Sequence, residues 1–540
     1  MSTVLGFKDI IDIPQWRTRS TAWGGTSAAG ASMCTDHRNN WMKNPFVYYL
    51  YNATVFYKYA FKSDEWMQIT SPALAGTFGA GAGSTFVASA GPSGTLAAGA
   101  TTTTVVLNTA LASAVGNNQL ANRGDGRGYV IRIIANAGAG SAGFTEEREI
   151  IGNTGGTQPT IRVASAFSFT PASGDRYEIL AGRVFLLSAS TLAANIYKMY
   201  DVATNSYIAS LTTTNLPATI ANDCSIVMLD EQYVPYDRQP GEGLIVGAST
   251  YDGGTKYCLL ATDSGATSIT GQATAGDSGV LQNEYRNFQI RIVEDVTNPV
   301  AVGQRRIITS HTAGTSPIYT VAAWTSTPST DAKFVIENNN DLLMWSSNST
   351  TTYSFRFGGF GADGSWSTAA APGTGIQYAV RGTAMAAGCS SLASYAIEPD
   401  VDKNARHSYI YSFRGGAVAS LDMLDIAGGA NGVWSNAIVY GGTAATVIFT
   451  TGTCAKLDAA TNEGRYGYLS YNGAQRSLRF DVKNRVLEPW CTNFYGVSTA
   501  YVGDRVAIAT FIDPDDNTKL SFMFNLYSNT GLWFDCAITR

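Results

Sequence analysis

The stretch "REIIGNTGGTQPTIRVASAFSFTPASGDRYEI", Arg148 to Ile179, is written a second time as "RRIITSHTAGTSPIYTVAAWTSTPSTDAKFVI", Arg305 to Ile336. Arg148, Ile150, Ile151, Thr154, Gly156, Thr157, Pro159, Val163, Ala164, Pro171, Asp175 and Ile179 align with Arg305, Ile307, Ile308, Thr312, Gly314, Thr315, Pro317, Val321, Ala322, Pro328, Asp331 and Ile336. Three single-residue length adjustments hold that register. "YVIRII" from Tyr129 precedes the first copy and "FQIRIV" from Phe288 the second. Matches of this number in one order make an internal repeat, and a repeat constrains the fold before any local feature does. The two copies are expected to superpose as one β-rich module, with the shared Ile, Val and Ala facing inward.

Working outward, each copy leads into a pair of alternating strands with a polar turn and a closing aromatic. After the first comes "RVFLLSASTLAANIYKMYDVATNSYIASL" from Arg183, and after the second "DLLMWSSNSTTTYSFRFGGFGADGSW" ending at Trp366. The pattern recurs in segments ending at Trp66, Trp434, Trp490 and Trp533, which makes six hairpins. Alternation such as Leu478, Phe480, Val482 buries one face of a strand. Turns such as "ATNS", "GADG" and "KNR" supply Asn, Asp and Gly where the chain reverses. The closing Trp or Tyr gives each hairpin a large apolar area to bury.

"YDVATNSY", Tyr200 to Tyr207, resembles the Kelch repeat, in which Tyr-Asp opens a hairpin that an aromatic closes. The Gly doublet of that repeat stands at Gly415-Gly416 and Gly441-Gly442. The resemblance implies an all-β, Kelch-like β-propeller of six or seven blades with duplicated inserted β-modules. On this reading residues 1–72 hold an N-terminal segment and the first hairpin, and 73–180 the first module. Residues 181–271 form blades, 272–337 the second module and 338–540 the remaining blades. "EGRYGYL" at Glu463 echoes "GDRYEIL" at Gly174 as a truncated relative. "TALASAV", Thr109 to Val115, is the one helix candidate.

The chain has 540 residues and only 14% charged side chains, against ~25% in typical soluble domains. A neutral, hydroxyl-rich surface suits exposed β-structure and broad subunit contacts, where charge is disfavoured. Net charge is −5 without a Lys/Arg stripe, which argues against nucleic acid. No apolar run reaches the length of a membrane span, and the opening lacks the pattern of a secretory signal. The seven cysteines are scattered without C-x-x-C spacing, as expected of buried free thiols made in a reducing cytoplasm.

Each candidate for chemistry has a plainer reading beside it. Arg123-Gly124-Asp125 spells an adhesion tripeptide but reads by default as a glycine-rich turn. Asp400, Asp402, Asn404 and Asp513, Asp515, Asn517 have the acid spacing of calcium loops, without the Gly at position six or the Glu at twelve. Asp230, Glu231, Asp237 and Glu242, with Tyr233, Tyr236 and Arg238, could supply a carboxylate pair for glycan cleavage or simply a polar loop. "STYDGGTKY" from Ser249 loosely resembles the Asp-box turn, with Asp252 one residue late. Cys34, Asp36 and His37 make half a metal site, and His311 and His407 stand apart from it. No catalytic, cofactor or metal residue is therefore assigned, and no enzyme activity is expected.

"RNNWMKNPFVYYLYNATVFYKY" and the segment Leu74 to Leu111, with the module after it, resemble tailed-bacteriophage virion structural proteins. The resemblance covers Asp36 to Ala189 and, more loosely, Phe288 to Trp366. It implies a virion component of head, neck or tail, assembled in the host cytoplasm and acting through protein–protein contacts. Its partners would be other virion proteins and further copies of the same chain. The alternative is a receptor- or glycan-binding propeller that stacks Tyr233 and Tyr236 on a host surface glycan; a glycan-cleaving enzyme ranks third. The Gly/Ala-rich run Ala75 to Ala100 is expected to be a contact arm that a partner orders.

Overall fold

The computed structural model describes residues 16–18, 32–36, 44–52, 55–60, 63, 65–70, 83–137, 141–187, 197–208, 224–229, 259–271, 281–337, 339–357, 364–394, 409–444, 466–470, 476–482, 484–492, 507–512, 519–525 and 533–539. The chain is all-β, and no α-helix occurs among the described residues. The helix expected at Thr109–Val115 is an irregular segment instead. There Leu111 N–H donates to the Thr157 carbonyl, and Val115 exchanges backbone hydrogen bonds with Gly156. Tertiary pairing overrides the local preference of an Ala-rich stretch.

Each of the six hairpin segments falls within one antiparallel sheet, its two alternating strands followed by a neighbouring strand that carries the closing aromatic. Sheet 1 is Ser32–Thr35, Phe46–Asn52, Val55–Ala60 and Glu65–Gln68. Sheet 2 is Gly83–Val87, Arg183–Leu187, Tyr197–Asp201 and Ser206–Ile208. Sheet 3 is Cys224–Met228, Asp341–Ser346, Tyr353–Arg356 and Trp366–Ser367. Sheet 4 is Ser390–Ser394, Tyr409–Phe413, Leu421–Asp425 and Val433–Ile438. Sheet 5 has three strands, Tyr466–Ser470, Arg476–Asp481 and Val486–Thr492. Sheet 6 joins Ala507–Ile512, Lys519–Asn525 and Trp533–Thr539, and Trp16–Thr18 from the far end of the chain pairs along its outer edge.

Sheets 2, 3 and 4 bury both faces against their neighbours. In sheet 3, Leu342 and Met344 pack with Phe185 and Leu187 of sheet 2, while Leu343 and Trp345 pack with Ile410 and Leu424 of sheet 4. In sheet 2, Val184 and Leu186 face Tyr48 and Phe56 of sheet 1. Tyr411 and Phe413 of sheet 4 face Leu478 and Phe480 of sheet 5. This is why these strands read as near-continuous apolar runs rather than a clean alternation. Within the hairpins the closing aromatic meets the strand before it: Tyr59 faces Trp66 with ring centroids 4.8 Å apart, and Tyr200 faces Tyr207 at 5.6 Å. The Asp that opens the hairpin has a definite task. Asp201 accepts the Thr204 N–H at 3.0 Å, and Asp481 accepts the Asn484 N–H at 3.2 Å, so the carboxylate caps the turn it opens.

The repeated stretches form two modules of identical strand order. The first runs Ser93–Thr95, Arg176–Ile179, Val130–Ile134, Thr145–Asn153, Thr160–Val163, Thr104–Val106. The second runs Leu259–Gly265, Lys333–Glu337, Gln289–Glu294, Arg305–His311, Ile318–Val321, Ser268–Gly271. Pairing of the last strand with the first closes the second into a barrel, whereas a single Leu96–Leu107 bridge spans the same gap in the first. Both carry a bulge at one place, between Ile150 and Gly152 and between Ile308 and Ser310. Ile131, Ile133, Ile150 and Val163 point into the first core, and Ile290, Ile292, Ile308 and Val321 into the second.

Pairing corrects the alignment by one residue at its start. Ile150 faces Val163 and Ile308 faces Val321, so Ile150 corresponds to Ile308 and Arg148 to Arg306. Ile151 is left 44% exposed on the bulge. The second module also begins earlier than residue 272, because the hairpin Leu259–Gly271 supplies two of its strands. The run expected to be a contact arm is structured where it is described. Gly83–Val87 is a buried strand of sheet 2, and Ser93–Thr95 pairs within the first module. Small residues suit that strand, since a Cβ on Gly83 would lie 2.5 Å from Ile226. The stretch before Gly83 lies outside the described residues.

Candidate interface between the inserted modules

Each module is inserted between the first and second strands of its sheet, the first in sheet 2 and the second in sheet 3. The two modules then meet. Asp295 N–H donates to the Gly143 carbonyl at 2.8 Å, Phe144 bridges Glu294, and Asn136 Nδ2 donates to the Val302 carbonyl at 2.8 Å. Gly143, at φ 74°, is needed at this approach, because a Cβ there would lie 2.2 Å from the Asp295 carbonyl oxygen.

A row of charge crosses the contact. In the first module Arg132 lies opposite Glu147 on one neighbouring strand and Glu178 on the other, with hydrogen bonds of 2.8 Å to both. The corresponding row of the second module is Arg305, Arg291 and Val335. Arg291 turns instead to Glu337, its Nε 2.9 Å from the carboxylate. Arg305 reaches across and donates to Glu178 at 3.1 and 3.4 Å. The first module thus offers two carboxylates to one guanidinium, and the second answers with the cation. Burial alone would push the Glu178 carboxyl up, but Arg305 and Arg132 outweigh it and hold it at about 2. Burial lowers Arg176 nearby, Glu178 acts against that shift and Arg305 adds to it.

Local cross-ties keep the row in place. Arg148 lies over the Phe167 ring and donates to the Ala166 carbonyl, as Arg306 lies over Trp324 and donates to the Ala323 carbonyl. Spacing along the sequence gives Arg132, Glu147, Glu178 and Arg305 no part in a contact. The available signal was a charged residue in the middle of an otherwise apolar strand, Arg132 in "YVIRII" and Arg291 in "FQIRIV".

The residues singled out for chemistry are not brought together. Arg123 is buried and clamps its own neighbour Asp125, with Nε 3.0 Å from both carboxylate oxygens. Gly124 sits at φ 106° against Phe46, so the tripeptide is a pinned turn. Cys34, Cys224 and Cys389 are buried. Asp36 accepts the Asn44 N–H at 2.8 Å. His37, His407, the acidic loops at 400–404 and 513–517, and the segments 230–243 and 249–257 lie outside the described residues. Among the described residues no group of three or more His, Cys, Asp or Glu could hold a metal ion, and no helix is long and apolar enough to cross a membrane.

His311 has a structural task. Its Nε2 accepts the Tyr285 N–H at 2.8 Å and its Nδ1 lies 2.9 Å from the Thr312 carbonyl, which puts the proton on Nδ1. Asn153 stands at the same point of the first module. Its Oδ1 accepts the Leu120 N–H at 2.9 Å and its Nδ2 donates to the Thr154 carbonyl at 2.8 Å. Compared with protein-family models and with curated proteins, the chain matches none of either.

Proposed function

We propose that this chain is a structural component of a tailed-phage particle, a six-bladed Kelch-like propeller whose inserted modules make protein–protein contacts. The observation that carries the contact reading is the module pair. Two copies of one module are inserted at the same point of consecutive sheets and joined through a buried charge pair, Glu178 with Arg305. A double module joined by backbone and side-chain hydrogen bonds suits recognition by shape. The 14% charge content suits surfaces that another subunit covers. The phage assignment itself rests on the sequence resemblance.

The propeller reading draws support from the order of the sheets. The first strand of sheet 6 lies beside that of sheet 1, which lies beside that of sheet 2, then sheet 3, then sheet 4. Trp16–Thr18, completing sheet 6, is what a ring needs to close on itself. The test is cryo-electron microscopy of purified particles together with mass spectrometry of their proteins. The reading expects the chain in stoichiometric amount, its modules covered by neighbouring subunits. A chain missing from particles, or one whose modules point bare into solvent and bind host polysaccharide, overturns it.

A further inference from the structure

We propose that His311 makes the joint between the second module and sheet 4 open in mild acid, while the matching joint of the first module cannot respond. The joint is the segment Leu281–Phe288. Asn287 Nδ2 donates to the Ile426 carbonyl at 2.7 Å and the Gly429 carbonyl at 3.3 Å, both just beyond the third strand of sheet 4. Asn339 Nδ2 ties the same segment to sheet 3 by donating to the Asn287 carbonyl at 2.7 Å. The segment is anchored to its own barrel at His311. Asn283 N–H donates to the His311 carbonyl, the His311 N–H donates to Asn283 Oδ1, and the Tyr285 N–H donates to the ring.

Protonation of the imidazole turns Nε2 from acceptor to donor. It then points a second N–H at the Tyr285 N–H, and a buried donor loses its partner. Among the described residues the charged group that acts on the ring does not compensate. Tyr285 and Tyr319 flank the ring at centroid distances of 5.8 and 5.2 Å. Arg286 is the charged neighbour that opposes protonation, and the Glu284 carboxylate accepts the Leu281 N–H of its own turn. Burial is the larger influence that lowers the imidazole below its ordinary value, Arg286 adds to it, and the Thr312 carbonyl opposes it. The sign follows. A folded value below the unfolded one means that the opened state binds the proton better. The joint is therefore fully stable above the unfolded value of about 6.5, and that stability is lost as pH falls through the folded value. In the first module the Asn153 amide makes the same bonds and does not titrate. Its segment docks elsewhere, Gln119 Nε2 donating to the Ala203 carbonyl at 2.8 Å.

The test is hydrogen exchange of the full chain, corrected for the intrinsic rate, at about pH 7.5 and about pH 5, on wild type and His311→Asn. The variant installs the side chain the first module already uses at this backbone position. Protection of 283–288 is expected to fall about tenfold or more in acid in the wild type and to stay level in the variant. Segment 117–121 serves as the internal control and stays level in both. An equal fall in both proteins, or none in either, overturns the proposal. Should His311→Asn not fold, carbon-13 histidine labelling of the wild type decides, since the chain has 3 histidines. A buried ring titrating below the ordinary value, with the same midpoint as the exchange, supports the joint; His37, His311 and His407 all titrating normally refutes it.

Discussion

The two modules share strand order, bulge and turn hydrogen bonds, and their differences include positions that face something outside themselves. Where the first has Glu147, Arg132 and Glu178 in one row, the second has Arg305, Arg291 and Val335. Where the first has Asn153, the second has His311. Interior positions beside the bulge keep their character, Ile150 and Ile308, Val163 and Val321, while Ile161 is exchanged for the buried Tyr319. The difference teaches that a duplicated fold is held by its core and turns, whereas its contact faces are free to become complementary. A row of like composition in both modules would have set carboxylate against carboxylate at the contact. The substitution of Glu147 by Arg305 at equivalent positions turns that repulsion into a pair.

The largest expected effect breaks the comparison at its charged row. Arg132→Met leaves Glu147 and Glu178 buried with one fewer cation, and removing one partner of a buried pair costs about 3–5 kcal/mol. Arg291→Met is expected to cost less, because Glu337 also accepts from Gln289 Nε2 at 3.3 Å. Denaturant dependence of hydrogen exchange, read module by module, measures both, since a chain of this size does not unfold as one cooperative unit. Equal costs would show that the row does not matter beyond the burial of each arginine.

Next comes the glycine at the contact. Gly143→Ala adds a left-handed penalty of about 1–2 kcal/mol and a collision with the Asp295 carbonyl. It should expose the Asp295 amide to exchange and loosen one module from the other. Gly156→Ala and Gly314→Ala are the controls. They have φ of 111° and 107° with nothing near the added Cβ, so each pays the strain alone, about 1–2 kcal/mol, and equally. Separation of the modules by either control would refute a specific role for Gly143.

A pH titration sharpens the contrast between the two sites. With Glu178 held at about 2 by Arg305 and Arg132, its contribution is fully present above the ordinary carboxylate range. It is lost only as pH falls toward that value. The distance between spin labels on the two modules should therefore stay constant from about pH 8 to about pH 4. Movement of the modules apart within that range would assign the acid response to the wrong contact.

Much of this was legible in the sequence, and the failures have physical causes. The six hairpins were visible because an aromatic must close each one and an Asp or Asn must turn it, as Asp201 and Asp481 do. The repeat was visible but misregistered by one residue at its start. Arg305-Arg306 and Ile307-Ile308 are doubled, so two registers look alike until the bulge decides which Ile is buried. The hairpin Leu259–Gly271 was assigned to the blades because its residues are small and polar and its burial comes from barrel closure. The strand Gly83–Val87 was taken for an arm for the same reason: its partner Arg183–Leu187 lies nearly a hundred residues away. The charged row was missed because pairing across two modules leaves no spacing to read along the chain.

The smallest effect tests the duplication itself. Thr154 Oγ1 accepts the Thr160 N–H at 2.9 Å, and Thr312 Oγ1 accepts the Ile318 N–H at 2.9 Å. Each closes the same exposed hairpin of its module, six residues from donor to acceptor. Replacing either Thr by Val keeps the shape and removes the acceptor. A hydrogen bond of this kind contributes about 0.5–1.5 kcal/mol, and less where water reaches the freed N–H. Neither Thr touches the contact between modules, so nothing specific to one copy should enter. The losses in local exchange protection are expected to match to within about 0.5 kcal/mol, and the double variant to show their sum. A loss in one module only would mean that the two hairpins share a hydrogen-bond pattern without sharing its energetics. The same strand order would then be a weaker guide to common behaviour than the Asn153–His311 comparison assumes.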